Sequence, residues 1–159
     1  MVMISVSIHH GSRKPGVPMA TSAVTDAQLI QQARNAQARA YAPYSKFPVG
    51  SVLLLDNGDV VPGCNLENAS YGLSMCAERN AVAGAIVGSG PRGVADAGFT
   101  IEAVAIVGKP GEPCFPCGAC RQVLREFGCK RVIVEDGEGL RSFKFSEELL
   151  PYSFGPESL

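Results

Sequence analysis

Two short stretches of the chain carry side chains whose types and spacing can do chemistry. One is Cys76-Ala77-Glu78, the other Pro116-Cys117-Gly118-Ala119-Cys120. Each runs into a helical pattern, so each should lie at a helix N-terminus, where free N–H groups and the positive end of the dipole lower a thiol's pKa. Thiolates are the zinc-binding form of cysteine, and a Cys-x-x-Cys pair at such a terminus can put both sulfurs on one metal. A third thiolate from a facing helix would leave one tetrahedral position open, as a catalytic zinc site requires. Glu78, two residues beyond the first thiol, is then close enough to act on a metal-bound water without ligating.

The same cysteines also fit other chemistry. Cys-x-x-Cys occurs twice, as Cys114/Cys117 and Cys117/Cys120, and either could be a redox pair or half of a closed structural site completed by Cys64 or Cys129. Glu78 tips the reading toward catalysis, and this combination of motifs resembles the spacing class of the zinc deaminases. Three thiolates on a divalent zinc form a net negative centre, which would make bound water less acidic, so a positive group is expected nearby. Arg79 and Arg121 each directly follow a motif residue, and guanidinium groups can donate to thiolate sulfur. At least one of them should tune the metal.

The elements that must hold these motifs are legible in the periodicity. Thr25 with Gln28 is a capping-box pattern, followed by Leu29, Ile30, Ala33, Ala36 and Ala40 at helical spacing. That helix should end before Pro43. Val52–Leu55 and Val60-Val61 flank Asp56-Asn57-Gly58-Asp59, a hairpin signal. A helix is predicted from about Ser74 through Ala85, a loop over Gly88 to Gly98, and a buried strand over Ile101 to Val107. Gly118 to Phe127 reads as a helix ended by Gly128, and Arg131 to Val134 as another strand. Ser142 to Phe145 reads as a short edge strand, and Glu147 to Leu150 as a last helical turn before Pro151. Two strand–helix–strand crossovers imply partly parallel pairing, and the hairpin adds antiparallel strands. The expectation is an α/β fold: a mixed sheet of about five strands between helical layers.

Composition narrows the function classes. The 159 residues include 18 Gly and 11 Pro, so turns are frequent, and 46% are hydrophobic. Fourteen basic and fifteen acidic residues leave a net charge of −1, which offers no excess with which to hold a phosphate backbone. No apolar stretch approaches the roughly 20 residues needed to span a membrane. Six Cys fall short of a disulfide scaffold, and their clustering favours metal binding in a reducing, cytoplasmic setting. Residues 1–22 show no usable period and are read as a disordered extension; residues 23–159 are read as one domain.

From Tyr41 to Pro156 the chain resembles the small homotetrameric cytidine deaminases. The segments that carry the resemblance are Pro43-Tyr44-Ser45-Lys46-Phe47-Pro48-Val49-Gly50, Gly63-Cys64-Asn65-Leu66-Glu67-Asn68-Ala69, Cys76-Ala77-Glu78-Arg79, Pro116-Cys117-Gly118-Ala119-Cys120-Arg121-Gln122 and the tail Leu149 to Glu157. The resemblance implies a three-layer α/β/α fold and one Zn²⁺ per subunit, held by Cys76, Cys117 and Cys120, with Glu78 as proton shuttle. Cys64, Cys114 and Cys129 then stand outside the site. It further implies that Phe47 stacks on a pyrimidine, that the backbone of Ala77 reads the base edge, and that Asn65 and Glu67 hold the ribose. Those last two lie one residue apart on an extended segment, so both project to one face. A carboxylate there would repel a phosphate, favouring nucleosides over nucleotides. Ala69, Tyr71 and Phe154 are implied to reach a neighbouring subunit's substrate in a homotetramer. Two other readings share the zinc motifs: a deaminase of a cytosine-bearing antibiotic such as blasticidin S, and a non-catalytic zinc module. The Asn65-x-Glu67 pair and the Ser153–Glu157 tail weigh against the first, and the intact ligand set with Glu78 weighs against the second.

Overall fold

In the computed structural model, which describes residues 24–88 and 98–159, the first helix begins where its capping box places it. Thr25 accepts from the Gln28 N–H while the Gln28 side chain accepts from the Thr25 N–H, which satisfies two of the free donors of α1 (Asp26–Gln37). Leu29, Ile30 and Ala33 form its buried face. The chain then enters the hairpin of β1 (Gly50–Leu55) and β2 (Val60–Cys64), turning through Gly58 at φ +85°. That left-handed geometry suits glycine because it has no Cβ to clash.

A 3₁₀ turn at Tyr71–Leu73 precedes α2 (Ala77–Gly88). The helix starts three residues later than the sequence pattern predicts. Met75 is the reason: it exchanges both backbone hydrogen bonds with Leu66, so the approach to Cys76 stays extended. Most of the loop predicted over Gly88 to Gly98 lies outside the described residues, as does the extension over 1–22. Then come β3 (Ile101–Val107), α3 (Gly118–Glu126), β4 (Arg131–Asp136) and β5 (Gly139–Lys144). The edge strand β5 is longer than expected, and the helical turn expected over Glu147 to Leu150 is a π-helical turn over Phe145–Leu149.

The sheet has the order β2-β1-β3-β4-β5, with β3–β4 parallel and the other neighbours antiparallel. On one face, Leu29, Ile30 and Ala33 of α1 pack on Val52, Ala103, Ala105 and Ile133. On the other, Ala81, Val82 and Ala85 of α2 and Leu124 of α3 pack on Leu53, Val104, Ile106 and Val132. Three layers result. Central strand β3 is covered on both faces, which is why it reads as a nearly unbroken apolar run.

This topology places the site. β2 and β3 are both antiparallel to β1, so they point the same way, and the chain leaves the C-terminal end of each to begin a helix. The N-termini of α2 and α3 therefore meet at one edge of the sheet, the position where open α/β sheets bind ligands. Two glycines allow the close approach. A Cβ at Gly63 would overlap the Ala77 carbonyl and the Ala81 backbone, and one at Gly50 would overlap the backbone of α1 at Ala33 and Gln37.

Candidate active site

Cys76 stands immediately before α2, and Cys117 is the N-cap of α3. Cys120 lies one turn inside α3 and is fully buried. The three sulfurs lie within 4.8 Å of one another, with Cys76 Sγ and Cys117 Sγ 3.9 Å apart. Tetrahedral zinc with Zn–S near 2.3 Å requires sulfurs about 3.8 Å apart, so the arrangement fits that ion. Cys76 and Cys117 line an adjoining cavity of about 680 Å³ while Cys120 sits behind them. The open side of the thiol cluster thus faces the cavity.

Electrostatics divides the cysteines. A hydrogen bond from Cys120, with help from Arg79 and Cys117, brings the Cys76 thiol down to about 5. The same bond, with burial, holds Cys120 well above the ordinary thiol range. A metal cation binding thiolates displaces protons from such a cluster. Cys114 also lines the cavity, but it is outside the cluster, and burial pushes its thiol up to about 11.

Glu78, in the first turn of α2, is 4% exposed. Burial raises its carboxyl pKa, and the nearby Cys76 charge adds to this, while a hydrogen bond with Cys120 opposes it. Arg79 donates from Nη2 to Cys76 Sγ at 3.6 Å and to the Ser74 carbonyl at 3.4 Å, and its buried Nε has no hydrogen-bond partner. Arg121 takes a different position. Its guanidinium donates to the carbonyls of Pro116 at 2.9 Å and Leu149 at 2.6 Å, bracing the approach to Cys117 against the C-terminal segment.

Phe47, Asn65, Glu67, Tyr71, Ala77 and Glu78 all line the same cavity. Ala69 and Phe154 do not; Phe154 is 62% exposed and its carbonyl accepts from Gln122. Asn65 and Glu67 are engaged with the chain itself. Asn65 accepts from the Val49 N–H at 2.8 Å and donates to the Phe47 carbonyl at 3.0 Å. Glu67 Oε2 accepts from the N–H groups of Tyr44 and Ser45 at 2.9 and 3.2 Å. The Ser45 hydroxyl and these N–H groups keep the Glu67 carboxyl below its ordinary range. Sequence reasoning missed Phe115, a further aromatic side chain of the cavity wall, held edge-on to Phe143 with ring centroids 5.1 Å apart. Its place directly before Pro116-Cys117 was the available signal.

The model of the cytidine and deoxycytidylate deaminase zinc-binding region matches residues 23–136. The chain belongs to this family. A cytidine deaminase of Sporosarcina psychrophila is 40% identical over 134 residues, covering 83% of this chain and 93% of the relative. One of Mycobacterium tuberculosis is 42% identical over 131 residues, covering 82% and 90%. The crystal structure of cytidine deaminase from Burkholderia pseudomallei aligns with a TM-score of 0.69 at 42% identity, over 82% of this chain and 99% of that one. The matched region contains strands β1 to β4, the two helix N-termini and the three-thiol cluster, so the family's zinc-binding region and the geometric candidate for a metal coincide.

Proposed function

We propose that the chain is a zinc-dependent hydrolase that deaminates cytidine and 2′-deoxycytidine to uridine and 2′-deoxyuridine with release of ammonia. The observation that carries this reading is the buried Glu78 carboxyl beside a three-thiol cluster whose open side faces a cavity the size of a nucleoside site. Cys76, Cys117 and Cys120 would hold the zinc, which when bound lowers the pKa of a water toward about 7 and so supplies hydroxide at neutral pH.

Glu78 moves the protons. Its carboxylate accepts one from the attacking water and passes it to the ring nitrogen beside the amino-bearing carbon, making that carbon electrophilic. The carbon gains the water's oxygen. Glu78 then carries the second proton to the amino nitrogen, the C–N bond breaks, and ammonia leaves. A carboxyl whose pKa burial raises suits both halves of this transfer, because it holds an accepted proton more readily than an exposed carboxylate does. Arg79, donating to the Cys76 sulfur, would withdraw charge from the thiolates and so preserve the Lewis acidity that zinc would supply.

Phe47 stacks on the pyrimidine, and the Ala77 N–H at the start of α2 reads its edge. The Tyr44 and Ser45 N–H groups both bind Glu67 Oε2, and this carboxylate meets a ribose hydroxyl beside Asn65. Its negative charge disfavours a 5′-phosphate. The assembly in this reading is a homotetramer, where Ala69, Tyr71 and Phe154 complete a neighbour's site. Its support is the outward position of Tyr71, Leu73 and Phe154, 75%, 67% and 62% exposed in the single chain.

The test is the ultraviolet spectrum of cytidine incubated with zinc-loaded protein, beside cytidine monophosphate and blasticidin S. Conversion of cytidine alone is expected. Turnover of blasticidin S alone would overturn the substrate, and no turnover with zinc bound would overturn the enzyme reading.

A further inference from the structure

Phe47 lies on a stretch without regular secondary structure, between Lys46 in the left-handed region at φ 57° and Pro48, which has no N–H to donate. Something other than a helix or sheet must therefore hold it. Its own N–H donates to the Ser45 hydroxyl at 3.0 Å, and Asn65 spans its carbonyl and the Val49 N–H from the cavity side. From the opposite side comes Gln37, the last residue of α1. A single amide nitrogen, Gln37 Nε2, donates to the Pro48 carbonyl at 2.9 Å and to the Gly108 carbonyl at 2.6 Å. Gly108 is the surface on which the Phe47 ring rests: a Cβ there would come within 3.0 Å of the ring's Cζ. Gln37 thus ties the backbone beside the ring to the backbone beneath it.

We infer that Gln37 is a positioning residue that sets the place of Phe47 against the base. It lies outside the cavity lining and touches neither the thiols nor Glu78. Its own location is set by the packing of α1 on β1, since a Cβ at Gly50 would meet Gln37 N at 2.5 Å. Helix α1 contributes no residue to the cavity, so its docking reaches substrate binding through this amide. The inference rests on the reading of Phe47 as the stacking wall.

The test is steady-state kinetics of zinc-loaded, full-chain Gln37→Leu and Gln37→Glu on cytidine, each made also in a Phe47→Ala background. Loss of two hydrogen bonds should raise KM roughly tenfold while kcat stays within about twofold and zinc content is unchanged. In the Phe47→Ala background the Gln37 substitutions should add nothing, because the residue they act through is gone. Additive losses, or a fall in kcat at constant KM, would overturn the assignment, since a general packing role would persist without the Phe47 ring. Gln37→Glu keeps the side-chain size and carries the test if Gln37→Leu does not fold. Wild-type protein that leaves cytidine intact would overturn the functional reading and the assignment with it; an active wild type with additive losses overturns the assignment alone.

Discussion

At the scale of single residues the site depends on where protons and charges are held. Glu78 is buried among groups that disfavour its charge, so it is poised to carry a proton. Glu78→Gln keeps the shape and removes that capacity. It should retain zinc, measured by metal analysis, while turnover falls by at least about a hundredfold. The two arginines should separate. Arg79 contacts a thiol, so Arg79→Gln is expected to lower turnover and weaken zinc retention against a competing chelator. Arg121 contacts only backbone carbonyls. Arg121→Gln strands them, so its main effect should be a loss of about 1–3 kcal/mol in urea unfolding. Residue types and spacing made the three thiols and Glu78 legible. The different work of the two arginines was not, because each is simply an arginine after a motif until the fold decides what its guanidinium meets.

At the scale of elements, the site exists because two helices begin at the same place. The N-terminus of α2 is pressed onto β2 at Gly63, where backbone touches backbone. Gly63→Ala cannot be absorbed by a side-chain rotation. It should cost about 1–3 kcal/mol of stability and, by shifting Cys76 away from α3, weaken zinc binding measurably in a chelator competition. The late start of α2 belongs to this scale as well. Helical spacing cannot reveal that Met75 is claimed by a backbone pairing with Leu66, which is nine positions back along the chain and local only in space.

At the scale of the molecule, zinc and assembly are the two global terms. The three clustered thiols come from the starts of two separate helices, so a metal bound there would stabilise the arrangement that brings them together. Removal of zinc by a chelator should lower the melting temperature, and re-addition should restore it. Acidification should release the ion, because protons then compete for the thiolates. No helix among the described residues is long and apolar enough to cross a membrane. The exposed Val87 on α2, at 83%, gives a test of the proposed tetramer. Val87→Asp should yield smaller species in analytical ultracentrifugation if that face is covered by a neighbour, and would leave a monomer unchanged.

The amino-acid sequence by itself made the thiol and Glu78 motifs, the capping box and the α/β order legible, because each is a local pattern of types and spacings. It also carried the Asn65-x-Glu67 pair, but only as two polar side chains on one face. Tertiary structure decided what those side chains hold, since the backbone groups of 44–49 that they bind are brought to them by the pairing of Asn65 and Glu67 with Tyr41 and Val49. It likewise decided that Cys114 stays outside the cluster while Cys120, six residues on, enters it: a helical turn carries Cys120 back beneath Cys117, and the extended approach leaves Cys114 against Gly108. Spacing along a chain states which groups are near in sequence. Only the shared direction of β2 and β3 brings the starts of α2 and α3 close enough for three sulfurs to meet.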